Sequence, residues 1–444
     1  MLVVTNKLTV NLRNAVRRLS SDKTFILNWP GAIRRQWLTA LGWFGIAGSI
    51  GVLLRTMMVW PVPGLVYPYL LHTHSHVVLL GWAFNALFTA LVTTFFSVNR
   101  FPVYKLLWLG FQVSMVGMLV FFPMQGYAAG SIAFSTLHVF LSYGMVWVMV
   151  NGFKRHDGSS GGALAARFLR WGLFFLAIST LGPYGLGYLK AKHLEASVWY
   201  NLSIYYYLHF LYNGWFIFGC LALVVRWLEQ WKLIPSPKTG QRVLAALVIS
   251  CFGSFSLSAL WAQPPGWVWL VGAVSALLQL AAGGWLAGWL WQHRQVLSQR
   301  LRGWAWRLAV LAWAGFVLKI SLQAASVFPY VVQWTYQQRH VVIAYLHLVF
   351  IGVISLFLLS KALHERWLNA SSAGLWAFLV FFTLSELILV TEFVLSRFAG
   401  SYLPYFAEWA LAASVGLWLS VCILFGKQLV TSRLNAPAAV SYEP

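Results

Sequence analysis

Long apolar runs alternate along the chain with short breaks that are polar, basic or rich in Pro and Gly. An α-helix rises about 1.5 Å per residue, so about 20 residues cross a hydrocarbon layer of about 30 Å. The runs predict spanning helices at 36–60, 73–98, 104–125, 130–152, 166–188, 198–227, 242–262, 266–292, 303–325, 339–361, 373–396 and 405–428, about twelve in all. The seventh and eighth are divided only by Gln263-Pro264-Pro265-Gly266. Consecutive prolines there remove amide donors and break a helix. The pattern predicts an all-α fold: one polytopic membrane bundle over 36–430, a basic segment at 1–35 and a tail at 431–444.

Composition agrees. Only 9% of residues are charged and 60% are hydrophobic, whereas a soluble domain is about a quarter charged. Aromatics make up 17%, with 26 Trp, as interfacial belts around many helices require. The net charge of +22 would suggest nucleic acid on a soluble protein. Its placement argues otherwise. Laying the breaks alternately on two sides puts most of the 31 Lys and Arg on one of them. That side takes Arg34, Arg35, Lys105, Arg167, Arg170, Arg226, Arg242, Arg294, Arg307, Lys361 and Lys427. Arg55, Lys190, Lys192, Lys319, Arg339 and Arg397 fall on the other side or within spans. The bias predicts cytoplasmic termini in a bacterial inner membrane and leaves nothing for nucleic acid to explain. The bilayer itself is the first expected partner.

Cys220, Cys251 and Cys422 are widely spaced and no C-x-x-C-H occurs. Neither covalent haem attachment nor a disulfide framework is expected. The first 35 residues lack a signal-peptide pattern, so a cleaved leader is not expected. Residues Asp157 to Gly162 read as a flexible loop.

There are 11 histidines. His156, His293 and His364 lie in basic loops and His193 in a loop on the other side, where solvation accounts for them. His72, His74, His76, His138, His209, His340 and His347 lie in or at the edge of spans. All belong to even-numbered helices and fall at similar depths, in the half opposite the basic side. An ionisable residue inside a bilayer is costly and is a functional-site hypothesis by default. Neutral imidazole is also a common ligand for iron, copper and zinc. The plainer reading of any one histidine is a hydrogen bond to a neighbouring helix. It weighs most on His138 and His340 taken alone.

The second helix reads LHTHSHVVLLGWAFNALF from Leu71 to Phe88. It resembles helix II of subunit I in the haem–copper oxidase superfamily, especially cbb-type oxidases and nitric oxide reductases. Counting back from Asn85-Ala86-Leu87-Phe88, the resemblance places the haem-ligating histidine at His74. The tenth helix reads IAYLHLVFIG from Ile343 to Gly352. There the resemblance makes His347 the second axial ligand of a low-spin haem b and puts Tyr345 where the family's high-spin haem ligand stands. The sixth helix, YYYLHFLYNGWF from Tyr205 to Phe216, is similar to the segment bearing one ligand of the active-site metal. That ligand falls on His209, and Asn213 stands where the reductases carry glutamate. The seventh helix departs: Ser254 to Trp267 reads SFSLSALWAQPPGW, with Leu257 and Ser258 in place of the family's histidine pair. The motif match is specific in helices two and ten only.

The resemblance implies at least one haem b between His74 and His347, with Arg55 and Arg339 as cations for its propionates. Ordinary snorkelling is the alternative reading of both arginines. A second haem, or a copper or iron ion, would draw on His209, with His138, His340 or the i, i+4 pair His72 and His76 as substitutes. Candidate proton carriers are Lys319, Glu386 and Glu392, the glutamates pairing with Lys319 or lining a cavity. The expected function is electron transfer, or redox or gas response, with an incomplete binuclear centre. Electrons would come from a cytochrome or a quinol, with partner membrane subunits. Two alternatives stand beside it. One is a working terminal oxidase or nitric oxide reductase with a rearranged metal site. The other is a transporter or assembly factor whose histidines bind metal, haem or protons.

Overall fold

The computed structural model describes residues 29–96, 101–154 and 163–434. Most of the basic N-terminal segment, the loop at 157–162 and the tail from 435 lie outside the described residues. Among the described residues, twelve helices are long and apolar enough to cross a membrane. They are α1 Gly31–Val59, α2 Tyr67–Phe95, α3 Pro102–Gln125, α4 Ala129–Phe153, α5 Ala163–Ala191 and α6 Val198–Gln230. Then follow α7 Pro237–Ala262, α8 Gly266–Gln292, α9 Trp304–Ala325, α10 Arg339–His364, α11 Ser372–Ala399 and α12 Phe406–Val430. The chain is an all-helical integral membrane protein, and each predicted apolar run coincides with one helix.

The break between α7 and α8 has the form its prolines dictate. Gln263 takes a left-handed conformation with φ of 52°, and Pro265 stands at the start of α8. Hydropathy does not reveal two short helices in the connections, Arg294–Arg300 and Pro329–Gln337. Both are too short to span a bilayer.

The helices differ in how much of their surface meets other helices. The most apolar windows of α2 and α6 are 83% buried, against 22% for α4 and α11. Two histidine-bearing helices are therefore the bundle's interior, and α10 packs on α2, α9 and α11 beside them. α12 packs on both α11 and α1, which closes the bundle.

The central helices share a backbone irregularity. A π-helical stretch begins directly after a histidine in each: Val77–Phe84 after His76, Phe210–Phe216 after His209, Leu348–Ser355 after His347. A fourth such stretch, Leu395–Ala399, ends α11. Widened turns shift the hydrogen-bond register and recur at functional sites. Polar side chains satisfy the carbonyls that the shift displaces. Asn85 Nδ2 donates to Leu80 O at 2.7 Å and Ser355 Oγ to Phe350 O at 2.6 Å, each five residues back.

One bond sets the relative height of α2 and α10: Trp82 Nε1 donates to Ser355 Oγ at 2.7 Å, fully buried. Trp82 follows His74 by eight positions, and Ser355 follows His347 by eight. The two helices run in the same direction. Both histidines therefore sit at one level, about 12 Å of helix rise from that bond.

Among the described glycines, the closest approach to another helix's backbone is at Gly182. A Cβ there would lie 2.6 Å from Ser203 O and 2.9 Å from Tyr207 N, both backbone atoms that cannot swing aside. Gly182→Ala is expected to force α5 from α6 and cost about 1–3 kcal/mol. Gly284→Ala, where nothing lies within 4 Å, is the control and should be neutral or stabilising. Thermal unfolding followed by circular dichroism in detergent measures both.

Candidate cofactor site

His74 projects from the first turns of α2 towards α1. Its Nδ1 donates to Ala47 O at 3.0 Å. A carbonyl only accepts, so this bond puts the proton on Nδ1 and leaves the Nε2 lone pair free. The ring approaches α1 closely because residue 51 is glycine. A Cβ there would stand 3.1 Å from His74 Cε1.

His347, on α10, lies with Nδ1 3.4 Å from Glu386 Oε1 of α11. Both side chains are partly buried. This is a close contact whose alignment falls short of a hydrogen bond, since neither atom has another partner among the described residues. The carboxylate again favours the proton on Nδ1 and leaves Nε2 available. The two imidazoles are within electrostatic reach of each other, and Arg55 is within reach of His74 and Glu386. Arg55 is half-buried, with Nη1 3.5 Å from Met58 Sδ, and Arg339 is exposed.

His209 has a different fate. Lys319, fully buried on α9, donates to Asn213 Oδ1 and, at 2.7 Å, to Gln323 Oε1. An ammonium has donors only, so Asn213 must turn its oxygen towards Lys319 and its amide towards His209. Asn213 Nδ2 lies 3.2 Å from His209 Nδ1, which therefore accepts. Nδ1 being an acceptor, the proton is on Nε2, which donates to Cys251 O at 2.8 Å. The lysine thus orients the whole chain, and both ring nitrogens of His209 are engaged. Tyr345 joins the same cluster, its hydroxyl 3.5 Å from Gln323 Oε1 and its ring edge-on to Tyr212. Tyr345 and His347 are two positions apart on a helix and face different neighbours.

The expected pairing of Lys319 with Glu386 or Glu392 is overturned. Lys319 uses two amide oxygens instead, while Glu386 faces His347 and Glu392 Oε2 accepts the Leu403 amide at 2.8 Å. A glutamate two helices away could not reach a lysine already held by α6 and by its own helix.

The remaining histidines occupy separate surroundings. His138 is buried between Phe84 and Phe111, with Ser142 Oγ 3.4 Å from Nδ1 and no hydrogen-bond partner at Nε2 among the described residues. His72 and His76 pack on Phe122 and Tyr127. His76 Nδ1 donates to His72 O at 2.8 Å, and its Nε2 is 3.5 Å from the Tyr127 hydroxyl. His340 lies edge-on to Phe406. Among the described residues, no three His, Cys, Asp or Glu side chains are grouped to hold a metal ion. A scan against models of protein families finds no match for this chain, and a search of curated proteins finds none.

The partners Ala47, Glu386, Asn213, Gln323 and Cys251 carry no motif of their own. Gln323 and Asn213 had a local signal, each four positions after its partner on one helix face, Lys319 and His209, and Glu386 stood out as a carboxylate within a span.

A hydrogen bond to a charged group is worth about 1.5–3 kcal/mol, and Asn213 supplies one of the two amide oxygens that Lys319 meets. Asn213→Leu is expected to lower stability by about that much. Asn213→Leu with Lys319→Met should recover much of the loss, since no ammonium then remains to satisfy. A double-mutant cycle on thermal or denaturant unfolding in detergent checks the non-additivity.

Proposed function

We propose that this chain is a haem b-binding membrane protein similar to subunit I of haem–copper oxidases. It transfers electrons, or responds to redox state or gases, through a bis-imidazole site without a complete binuclear centre. One observation carries the reading: His74 and His347 stand level on two parallel helices, each with Nδ1 turned to an acceptor and Nε2 free. Histidines that ligate a metal commonly turn the second nitrogen to a carbonyl or carboxylate that fixes the tautomer; His74 donates to such a carbonyl, and His347 has a carboxylate in close contact. These two residues would hold a haem iron. A haem bound there supplies one-electron redox chemistry.

The surrounding residues have definable parts. The Ala47 carbonyl and Gly51 fix the His74 ring against α1. The Glu386 carboxylate raises the donor strength of His347. Arg55, within electrostatic reach of His74 and Glu386, offers a cation for a propionate at the membrane edge.

Three features support electron transfer over oxygen or nitric oxide reduction. Both nitrogens of His209 are hydrogen-bonded, Tyr345 stands where a second axial histidine would be, and α7 brings no histidine. The same proposal places the basic side in the cytoplasm of a bacterium. A soluble cytochrome from the other side, or a quinol from the bilayer, is then the donor.

The test is the visible spectrum of the purified chain, oxidised and dithionite-reduced, with a pyridine haemochrome assay. About one haem per chain is expected, with a sharp reduced α-band lost in His74→Ala and in His347→Ala. Gly51→Val, which presses on the His74 ring, should weaken haem retention by about tenfold or more, as changes around ligating histidines do. No haem after expression with ample haem supply would sink the proposal. Two haems, one of them responding to carbon monoxide, would move it to the catalytic alternative.

A further inference from the structure

A groove opens between α6, α9 and α10 and the short helix Arg294–Arg300, away from the histidine site. Its enclosed part holds about 130 Å³, and the rest lies open to the surroundings. Its floor on α6 runs along one face from Ile217 through Val224 to Trp231. That is about 21 Å of helix. Ala309 and Ala312 of α9 line it with small side chains, beside Trp227 of α6 and Phe357 of α10 in the same wall.

The polarity of the groove is graded. Its deep end, at Phe316 and Val353, is apolar. Arg294 is the charged residue lining it, at the end nearest the basic side of the bundle. Arg300 and Arg302, both exposed, stand in the same connection, and Arg307, also exposed, in the first turn of α9. Between these levels the wall is formed by Trp227, 4% exposed, with its Nε1 fully covered.

We propose that this groove binds one anionic glycerophospholipid. An acyl chain lies along α6 and the phosphate meets Arg294. The apolar length of the groove and the cation at its end nearest the basic side match the hydrocarbon and the headgroup of such a lipid. Clustered arginines at a membrane surface favour anionic headgroups. A quinone would present its polar ring and its chain to the same walls, so the experiment includes one.

The full chain, purified and delipidated in mild detergent, is titrated with phosphatidylglycerol, phosphatidylethanolamine of the same acyl chains, and ubiquinone. Binding is read by native mass spectrometry. The expected result is one phosphatidylglycerol per chain, bound more tightly than phosphatidylethanolamine. Arg294→Gln should weaken phosphatidylglycerol about fivefold and leave phosphatidylethanolamine little changed. Ala309→Trp, which fills the groove, should abolish both. Equal binding of the two lipids that neither substitution alters would overturn the proposal, and so would a single ubiquinone that excludes both lipids. If Ala309→Trp does not yield a folded protein, Arg294→Gln at its exposed position decides alone. Haem content is not part of this readout, so the result stands apart from the electron-transfer reading.

Discussion

Inside a bilayer no water is present to complete a hydrogen bond, so every buried polar group must find its partner within the bundle. This constraint organises the interior of the protein. Asn85 and Ser355 return to carbonyls of their own helices, and Trp82 binds α2 to α10 through the same serine. Gln112 bridges Asn85 and Trp43, tying α1, α2 and α3 together. Polar residues in this chain act as fixed crosslinks, which sequence-wide hydrophobicity could not supply, because lipid tails are as apolar as the side chains they would replace.

The same constraint makes a lone cation informative. Lys319 is fully buried and meets amide oxygens, with no carboxylate in its hydrogen bonds. Amide dipoles satisfy donors but do not neutralise charge. The ammonium therefore dictates the orientation of whatever it touches. From Lys319 the direction of each bond follows through Asn213 and His209 to the Cys251 carbonyl. A metal ligand needs a lone pair, and this chain of bonds uses the one that His209 has. Electrostatics on α9 thereby decides the chemistry open to a histidine on α6.

The spans were legible in the sequence because hydrophobic length is a local property: twenty apolar residues announce a helix whatever surrounds them. Even the α7–α8 boundary was readable, since two prolines act on their own backbone. The histidines were legible as a set, through shared depth, but their partners were not. Glu386 lies 39 positions from His347 in the chain and meets it only through the packing of α11 on α10. Pairing with Lys319 was one of two readings open for the glutamates, because opposite charges attract in any pattern reading. The fold gave Lys319 two amides that a charge count ignores. The π-helical stretches were also invisible, since their sequences are ordinary apolar helix.

Those stretches bear on why the site is where it is. A widened turn rotates every following side chain relative to those before it. Placed just after His347, it lets the first part of α10 turn His347 towards α11 while the part beyond turns Ser355 towards Trp82. The stretch in α2 does the same for His74 and Trp82. The helix segments bearing the histidines and those bearing the crosslink can thus be oriented separately, although they belong to one continuous rod. The rigid Trp82–Ser355 bond then sets the height of both imidazoles, and the contacts to Ala47 and Glu386 set their rotation. Height and rotation of the two imidazoles are thus governed by separate interactions.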